Sequence, residues 1–542
     1  MSFSALDRAQ HLDTLFREKW DLLIIGGGIT GAGIFLDAVS RGLKTALIEK
    51  GDFASGTSSK STKLIHGGLR YLKNFEIGLV REVGRERAIV HTNARHLVRP
   101  EPMLLPIYHD GSIGRITGSI GLWFYDLLAD VERTERRKML SREEALAQEP
   151  LLRQEGLLGA GLYSEYRTDD ARLTLSIIRT AVDLGGLALN YCEATGFIYG
   201  DDMVSGVRCH DILAGNERYI TANAVVNATG PWMDAVLGMQ NHATSGEKKL
   251  LLSKGIHIVI PRSKLPVNQS MYFDAPADGR MIFCIPRDQA VYIGTTDTEY
   301  QSHLDALEVQ DVEIEYLIQA TNHVLEDTTI HKNDVTGSWA GLRALIYEEG
   351  KAPAELSRKD EIFISPKGLI SIAGGKLTGY RKMAERVIDL ILKSQPLTDV
   401  PYVECRTQNL RLAGADFDSD LDMQVMSEQL VTEFIMFSQE NIAKLFNRYG
   451  SETRQILFQA QSEISQSPGD ALITSEVTFS IRNEMTHHLA DFMLRRTADV
   501  FFDQQHLQRH FDAMTAAFTQ QLRWDDARLT AETESIRQVL GR

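Results

Sequence analysis

Short apolar runs alternate with helix-like stretches through the first 395 residues of this chain. Leu22-Leu-Ile-Ile25, Thr45-Ala-Leu-Ile48, Ala224-Val-Val-Asn227, Val291-Tyr-Ile-Gly294 and Leu369-Ile-Ser-Ile-Ala373 are the clearest runs. Parallel strands buried on both faces read as continuous apolar runs of this kind. Their alternation with helical segments predicts an α/β sheet. The remainder follows another rule. Leu430, Phe434, Ile435, Ile442, Leu445 and Phe446 recur at helical spacing up to Gly450, a natural C-cap. Leu489, Phe492, Met493 and then Val500 predict a further helix. Of 42 glycines, only Gly414, Gly450, Gly469 and Gly541 lie beyond residue 395. Glycine is costly inside helices, so this depletion suits an all-helical tail. Pro396-Leu-Thr-Asp-Val-Pro401 reads as the linker into it.

Composition narrows the classes. At ~150 residues per domain, 542 residues allow three to four domains, or fewer large ones. With 43% hydrophobic and 24% charged residues, the chain is neither disordered nor fibrous. A formal charge of −15 argues against nucleic-acid binding, while leaving room for a local basic pocket. Cys192, Cys209, Cys284 and Cys405 are scattered without a CxxC pair. They suggest neither a disulfide framework nor a zinc site, and fit a reducing compartment. The first twenty residues mix charges and lack an apolar core, unlike a secretory peptide. The uncharged run between Asp21 and Asp37 is rich in glycine and shorter than the ~20 apolar residues of a membrane span. Peripheral attachment stays open. Gly114-Arg-Ile-Thr-Gly-Ser-Ile-Gly-Leu-Trp-Phe-Tyr-Asp126 is apolar and aromatic, with Arg133, Arg136, Arg137 and Lys138 following. That pattern suits either an anionic interface or a buried helix beside a solvated charge run.

The strongest local signal is Asp21-Leu-Leu-Ile-Ile-Gly-Gly-Gly-Ile-Thr-Gly-Ala-Gly33. Gly26, Gly28 and Gly31 form GxGxxG directly after an apolar strand. The first glycine permits the tight turn, the second lets the backbone approach a pyrophosphate, and the third lets helix pack on strand. The helix N-terminus then offers its amides and positive dipole end to the phosphates. Glu49 ends the next strand eighteen residues after Gly31, where a carboxylate can accept ribose hydroxyls and disfavours a 2′-phosphate. FAD and NAD share this fingerprint. Two later strand-plus-glycine segments favour FAD, whose length requires distant chain to return to it: Ala224-Val-Val-Asn-Ala-Thr-Gly230, and Leu369 onward through Gly374, Gly375 and Lys376. The second opens a helix whose N-terminus can stabilise negative charge on a reduced flavin.

Thr57-Ser-Ser-Lys-Ser-Thr-Lys-Leu-Ile-His-Gly-Gly-Leu-Arg-Tyr71 resembles the hallmark segment of FAD-dependent glycerol-3-phosphate dehydrogenases. Further matches follow in family order: Thr168-Asp-Asp-Ala-Arg-Leu173, Val226 to Trp232, Lys254 to Pro261, Ile293 to Glu299, Ala340-Gly-Leu-Arg343, Gly374 to Thr378, and Asp491 to Thr497. Ala344 departs from the pattern, where a loop-stiffening proline is expected.

The resemblance implies an α/β, Rossmann-like FAD-binding domain with a parallel sheet, an inserted mixed-sheet substrate domain and an all-α C-terminal domain. The expected divisions are 1–75, 150–235 and 340–395 for FAD, 76–149 and 236–339 for substrate, and 396–542 for the tail. The activity implied is oxidation of glycerol 3-phosphate to dihydroxyacetone phosphate. Non-covalent FAD would accept the hydride and a membrane quinone would reoxidise it. The implied setting is a homodimer, cytoplasmic and peripheral on the cytoplasmic face of the inner membrane.

The resemblance also assigns residues. Arg70, Tyr71 and Arg358 fall at the phosphate. His257, Arg343 and Lys376 fall near the glyceryl oxygens and flavin. Ser59, Lys63, Leu64, Gly230, Gly375, Leu377 and Thr378 join Gly26, Gly28, Gly31 and Glu49 around FAD. Arginine forks match phosphate geometry. A cation at a helix start, as at Lys376, is unfavourable unless an anion is present. Histidine's ordinary pKa near 6.5 makes His257 a candidate base, and Arg343 and Lys376 suit stabilisation of developing alkoxide charge. Base and stabiliser remain interchangeable between His257 and Arg343. Competing readings are an oxidase of the same family that delivers electrons to oxygen, a related FAD amine oxidase, and a non-catalytic flavoprotein.

Overall fold

The computed structural model describes residues 2–66, 77–111, 137–240, 249–348, 359–394, 403–463 and 467–540. The linker, the 114–126 stretch with Arg133 and Arg136, and Arg70, Tyr71 and Arg358 lie outside these residues.

Four of the five apolar runs become the centre of an eight-stranded sheet, whereas the run at 291–294 pairs antiparallel in a second sheet. Lys19–Ile25 lies between Asn216–Asn227 and Thr45–Ile48, all parallel. Leu187–Leu189 and Ile370–Gly374 extend the parallel core on either side. Leu22, Leu23 and Ile24 are fully buried, as a strand covered on both faces requires. Helices Ile29–Ser40, Asp170–Asp183 and Tyr380–Ser394 pack with this sheet around one apolar core.

A second, ten-stranded mixed sheet carries Leu250–Pro261, Ala290–Gly294, Met281–Arg287, Ser270–Asp274, Arg99–Tyr108 and Gly337–Ile346. It has its own core, which includes the inner face of helix Asp311–Val324. Leu64–Ile65, Leu157–Arg167 and the 340–346 part of Gly337–Ile346 pair within the second sheet, although their positions fall in the segments assigned to FAD. An apolar run announces a strand but not its partner, because pairing is a long-range choice. Ala344 is likewise no loop residue: it pairs with Leu252 inside a strand.

The tail is helical, with apolar clusters centred on Phe434, Phe446 and Phe479 and on Phe492 and Phe518. The single helix expected around 430–446 is two, Asp420–Glu433 and Gln439–Tyr449. Ser438 starts the second by accepting a hydrogen bond from Asn441 N at 3.2 Å, a competing local bond that periodicity does not register. Ile435, counted in the apolar stripe, is 85% exposed in the break. Gly450 closes the second helix with φ +56°. The Leu489–Val500 helix is also broken, passing through one π turn, Phe492–Arg496, and a left-handed Ala498. No helix among the described residues is long and apolar enough to cross a membrane.

Candidate active site

The glycine fingerprint makes a tight cradle. Gly26 has φ +112°, and a Cβ there would lie 2.6 Å from the Ala228 carbonyl oxygen. A Cβ on Gly31 would lie 1.9 Å from the carbonyl oxygen of Gly26. Gly28 is the N-cap of Ile29–Ser40 and faces Ser58, whose Oγ accepts a hydrogen bond from Ile29 N at 2.8 Å. Glu49 is turned to this loop. Its carboxylate accepts from Gly27 N at 2.7 Å and Gly51 N at 2.8 Å. Burial pushes its pKa up and the two amides oppose that shift. Both oxygens therefore already support the loop, each with a further lone pair for another donor. Gly230 has φ +56°, and beyond its chain neighbours an added Cβ would meet nothing within 4 Å among the described residues. Gly375 has φ +76° in the turn before Leu377–Gly379. Close backbone approach at these glycines, a helix N-terminus and an aligned carboxylate fit a dinucleotide cofactor.

The second sheet supplies the other wall. Cross-strand register sets Ser253 opposite Arg343, Gly255 opposite Gly341, and His257 opposite both Trp339 and Gly294. Directly paired residues share a face, so these side chains form one surface with glycines between them. The segment carrying Ser58 packs on it. Thr57 Oγ1 donates to Leu342 O at 2.6 Å, a Cβ on Gly341 would lie 2.8 Å from Lys60 O, and His257 Nε2 lies 3.0 Å from Thr62 Oγ1. The 57–64 segment thus joins the glycine cradle to the His257–Arg343 face.

His257 is 2% exposed and stacked on Trp339, with ring centroids 4.9 Å apart. Its Nδ1 is buried with no hydrogen-bond partner among the described residues. The ordinary pKa expected of it does not survive this setting: burial, then Arg343 and Lys63, push it well below the usual histidine value. Arg343 is held by Thr295 Oγ1 at 3.0 Å, Thr296 O at 3.1 Å and Asp297 at 3.2 Å. Asp297 also receives the Ser253 hydroxyl and lies 3.1 Å from Arg280. A Cβ on Gly255 would come within 2.4 Å of the Arg343 guanidinium, and one on Gly294 within 2.1 Å of the His257 ring.

Other sequence-nominated residues have structural work. The ammonium of Lys63, which is buried, pairs with Asp170 at 2.6 Å and donates to Ser59 O at 3.0 Å. Leu64 is buried in the sheet and pairs with Arg167. Thr378 exchanges hydrogen bonds with the His66 backbone at 3.2 and 3.3 Å, which ties the Gly375–Lys376 turn to the hallmark segment at His66. Lys376 is half-buried and precedes Leu377–Gly379, and Leu377 packs on the core. Sequence reasoning missed Ser58, Thr62, Trp339, Asp170, Asp297, Gly255 and Gly294. Glycine inside a strand does signal close approach, so Gly255 and Gly294 carried a readable clue. The Lys60 ammonium also went unnoticed. It has no hydrogen-bond or ion-pair partner among the described residues, and burial, then Arg495, lowers its pKa.

Comparison with known proteins agrees with this arrangement. The model of the FAD dependent oxidoreductase family matches residues 21–380, and that of the C-terminal domain of alpha-glycerophosphate oxidase matches 405–529. The chain is 44% identical to the aerobic glycerol-3-phosphate dehydrogenase of Bacillus subtilis (strain 168), covering 99% of this chain and 98% of that one. It is also 44% identical to the enzyme of that name from Staphylococcus aureus (strain USA300), covering 100% and 98%. The solved structure of the glycerol-3-phosphate dehydrogenase from Bacillus halodurans, complexed with FAD, superposes with a TM-score of 0.84 at 37% identity, covering 99% of this chain and 98% of that one. A glycine cradle joined to a His–Arg sheet face, in a chain matched end to end by these relatives, places the protein among the FAD-dependent oxidoreductases, in the aerobic glycerol-3-phosphate dehydrogenase family.

Proposed function

We propose that this protein oxidises sn-glycerol 3-phosphate at C2 to dihydroxyacetone phosphate and passes the electrons to a quinone. The observation that carries the reading is the placement of His257 and Arg343 on one sheet face, covered by the segment that also caps the glycine cradle. The cradle of Gly26, Gly28 and Gly31 with Glu49 would hold the diphosphate and ribose of FAD. Ser59, Lys63, Leu64, Gly230, Gly375, Leu377 and Thr378 would contribute their backbone surroundings. FAD, when bound, supplies flavin N5 as acceptor of the C2 hydride. Arg70, Tyr71 and Arg358 are proposed for the phosphate on the family resemblance alone. A carboxylate substrate would not need three such groups, which disfavours the amine-oxidase reading.

The two interchangeable roles separate on electrostatic grounds. Arg343 is fixed by Asp297 and stays cationic, so it stabilises the growing charge on the C2 oxygen, with Lys376 assisting. His257 is kept neutral by its burial and cationic neighbours, so it is the group able to take the hydroxyl proton. In the tautomer that donates Nε2–H to Thr62 Oγ1, the Nδ1 lone pair has no partner among the described residues. A lowered pKa keeps the base deprotonated further into acid. The acid limb of kcat/KM should therefore have its midpoint well below 6.5, and Arg343→Gln should move it upward. A pH profile with a midpoint at 6.5 or above, unmoved in that variant, would contradict the assignment.

Gly294→Ala tests the same group from across the strand. Its Cβ would overlap the His257 ring, so kcat/KM should fall at least about tenfold while bound flavin stays at the parental level. Parental turnover would mean that the ring position is unimportant. A dye-linked assay comparing glycerol 3-phosphate with glycine tests the substrate class: turnover of the first alone is expected. The dehydrogenase reading over the oxidase rests on end-to-end alignment with relatives named dehydrogenases, without an added insertion. Reoxidation by a quinone analogue without hydrogen peroxide is the corresponding result. Peripheral attachment to the cytoplasmic face of the inner membrane and a homodimeric state complete the reading, with vesicle flotation and light scattering as their measurements.

A further inference from the structure

We infer that the helical C-terminal domain latches the cofactor cradle through Asp52, making Arg495 and Arg496 positioning residues for FAD. This rests on the reading of Gly26–Gly31 and Glu49 as the FAD cradle. The 49–54 segment is bonded directly to the glycine loop. Glu49 accepts from Gly27 N at 2.7 Å, and Ala54 N donates to Gly27 O at 3.0 Å. Phe53 is fully buried and its ring fills the space where a Cβ on Gly27 would stand. Gly27 is thus gripped through its amide, its carbonyl and its missing side chain by one short segment.

That segment is in turn fastened to the tail. Asp52 is 2% exposed and receives Arg495 Nε at 2.5 Å together with Arg496. Asn190 Nδ2 donates to Asp52 at 3.1 Å and to Met485 O at 2.9 Å. Next to it, Tyr191 N donates to Gly51 O at 3.0 Å and Tyr191 Oη to Asp491 at 2.5 Å. Arg495 closes the ring by pairing with Asp491 at 2.8 Å, and Arg496 donates to Glu484 O at 2.6 Å. Both arginines sit in the π turn Phe492–Arg496, which directs two consecutive guanidinium groups onto one carboxylate.

A buried carboxylate with two arginine partners is costly unless every charge is matched, so its geometry is specified closely. Several buried ion pairs elsewhere in the tail, such as Arg448 with Glu476, stay within the helical domain. The Asp52 cluster differs because it crosses from the tail to the loop that holds Gly27. Its effect is to pre-order that loop, which lowers the cost of ordering it around a ligand.

The test is the rate of FAD release from the holoenzyme, followed by the rise in free-flavin fluorescence after dilution. Arg495→Gln should speed release about tenfold, as expected for loss of charge-assisted hydrogen bonds, and Arg495→Lys should recover much of it. Lys444→Gln, which removes an ion pair to Asp503 inside the tail, should lower thermal stability without changing release. Parental release from Arg495→Gln with lowered stability would make the cluster a structural contact and overturn the latch. If Arg495→Gln does not fold, Tyr191→Phe removes only the hydroxyl bond to Asp491 and should still speed release; parental release there would also overturn it. Parental release from Glu49→Gln would overturn the reading of the cradle and the latch with it. Faster release from Glu49→Gln but not from Arg495→Gln would overturn the latch alone.

Discussion

Arg343→Ala should lower kcat with glycerol 3-phosphate by about 10² to 10³, the size of losing one oxyanion donor. The guanidinium is anchored on Asp297, Thr295 and Thr296, so it is directed before substrate arrives. Negative charge on the C2 oxygen grows only as the proton leaves, so the loss belongs chiefly to the transition state. Asp297 remains 3.1 Å from Arg280 after the substitution and is not left as an unpaired buried charge. Flavin content should therefore stay near parental, separating a catalytic loss from a folding one. Arg343→Lys should recover little, because an ammonium cannot serve several acceptors with a planar fork. Steady-state kinetics with measured flavin content decide: a rise in KM at unchanged kcat would move Arg343 from the reacting oxygen to uniform binding.

Gly31→Ala should abolish cofactor retention. Its Cβ would come within 1.9 Å of the Gly26 carbonyl oxygen, a backbone atom that no side-chain rotation can move. Helix Ile29–Ser40 must then shift away from the strand, carrying its N-terminal amides out of register with Gly28 and Ser58. The purified variant should hold less than about a tenth of the parental flavin, because the third glycine sets helix–strand contact in this fingerprint. Visible absorbance per chain measures it. Parental flavin content would show that the cradle tolerates a wider turn than the packing indicates.

The cradle was legible in the sequence because its parts are local: strand, glycines, helix and Glu49 follow one another within thirty residues. The parallel core was legible because strands buried on both faces show unbroken apolar runs. Other features depended on distant partners. His257 and Trp339 meet only through strand register, and the same register sets Arg343 beside Ser253 rather than beside His257. Nothing near Leu157–Arg167 indicates that it pairs with Arg99–Tyr108. The depressed pKa of His257 was equally hidden, since its causes are burial and the charges of Arg343 and Lys63, far away in the chain. Lys63 illustrates the opposite case. Its position in the hallmark segment suggested the cofactor, whereas its ammonium is committed to Asp170, which steadies the segment joining the two sheets. In the tail, periodicity found the buried residues but not the break at Ser438 or the π turn. That turn is what brings Arg495 and Arg496 together on Asp52.

The central claim is that the glycine cradle and the His257–Arg343 face act on one substrate. Anaerobic stopped-flow mixing of the holoenzyme with glycerol 3-phosphate tests it most directly. The account predicts that the oxidised flavin absorbance bleaches within the turnover time, and that a quinone analogue added afterwards restores it. Flavin that stays oxidised under saturating glycerol 3-phosphate would contradict the account.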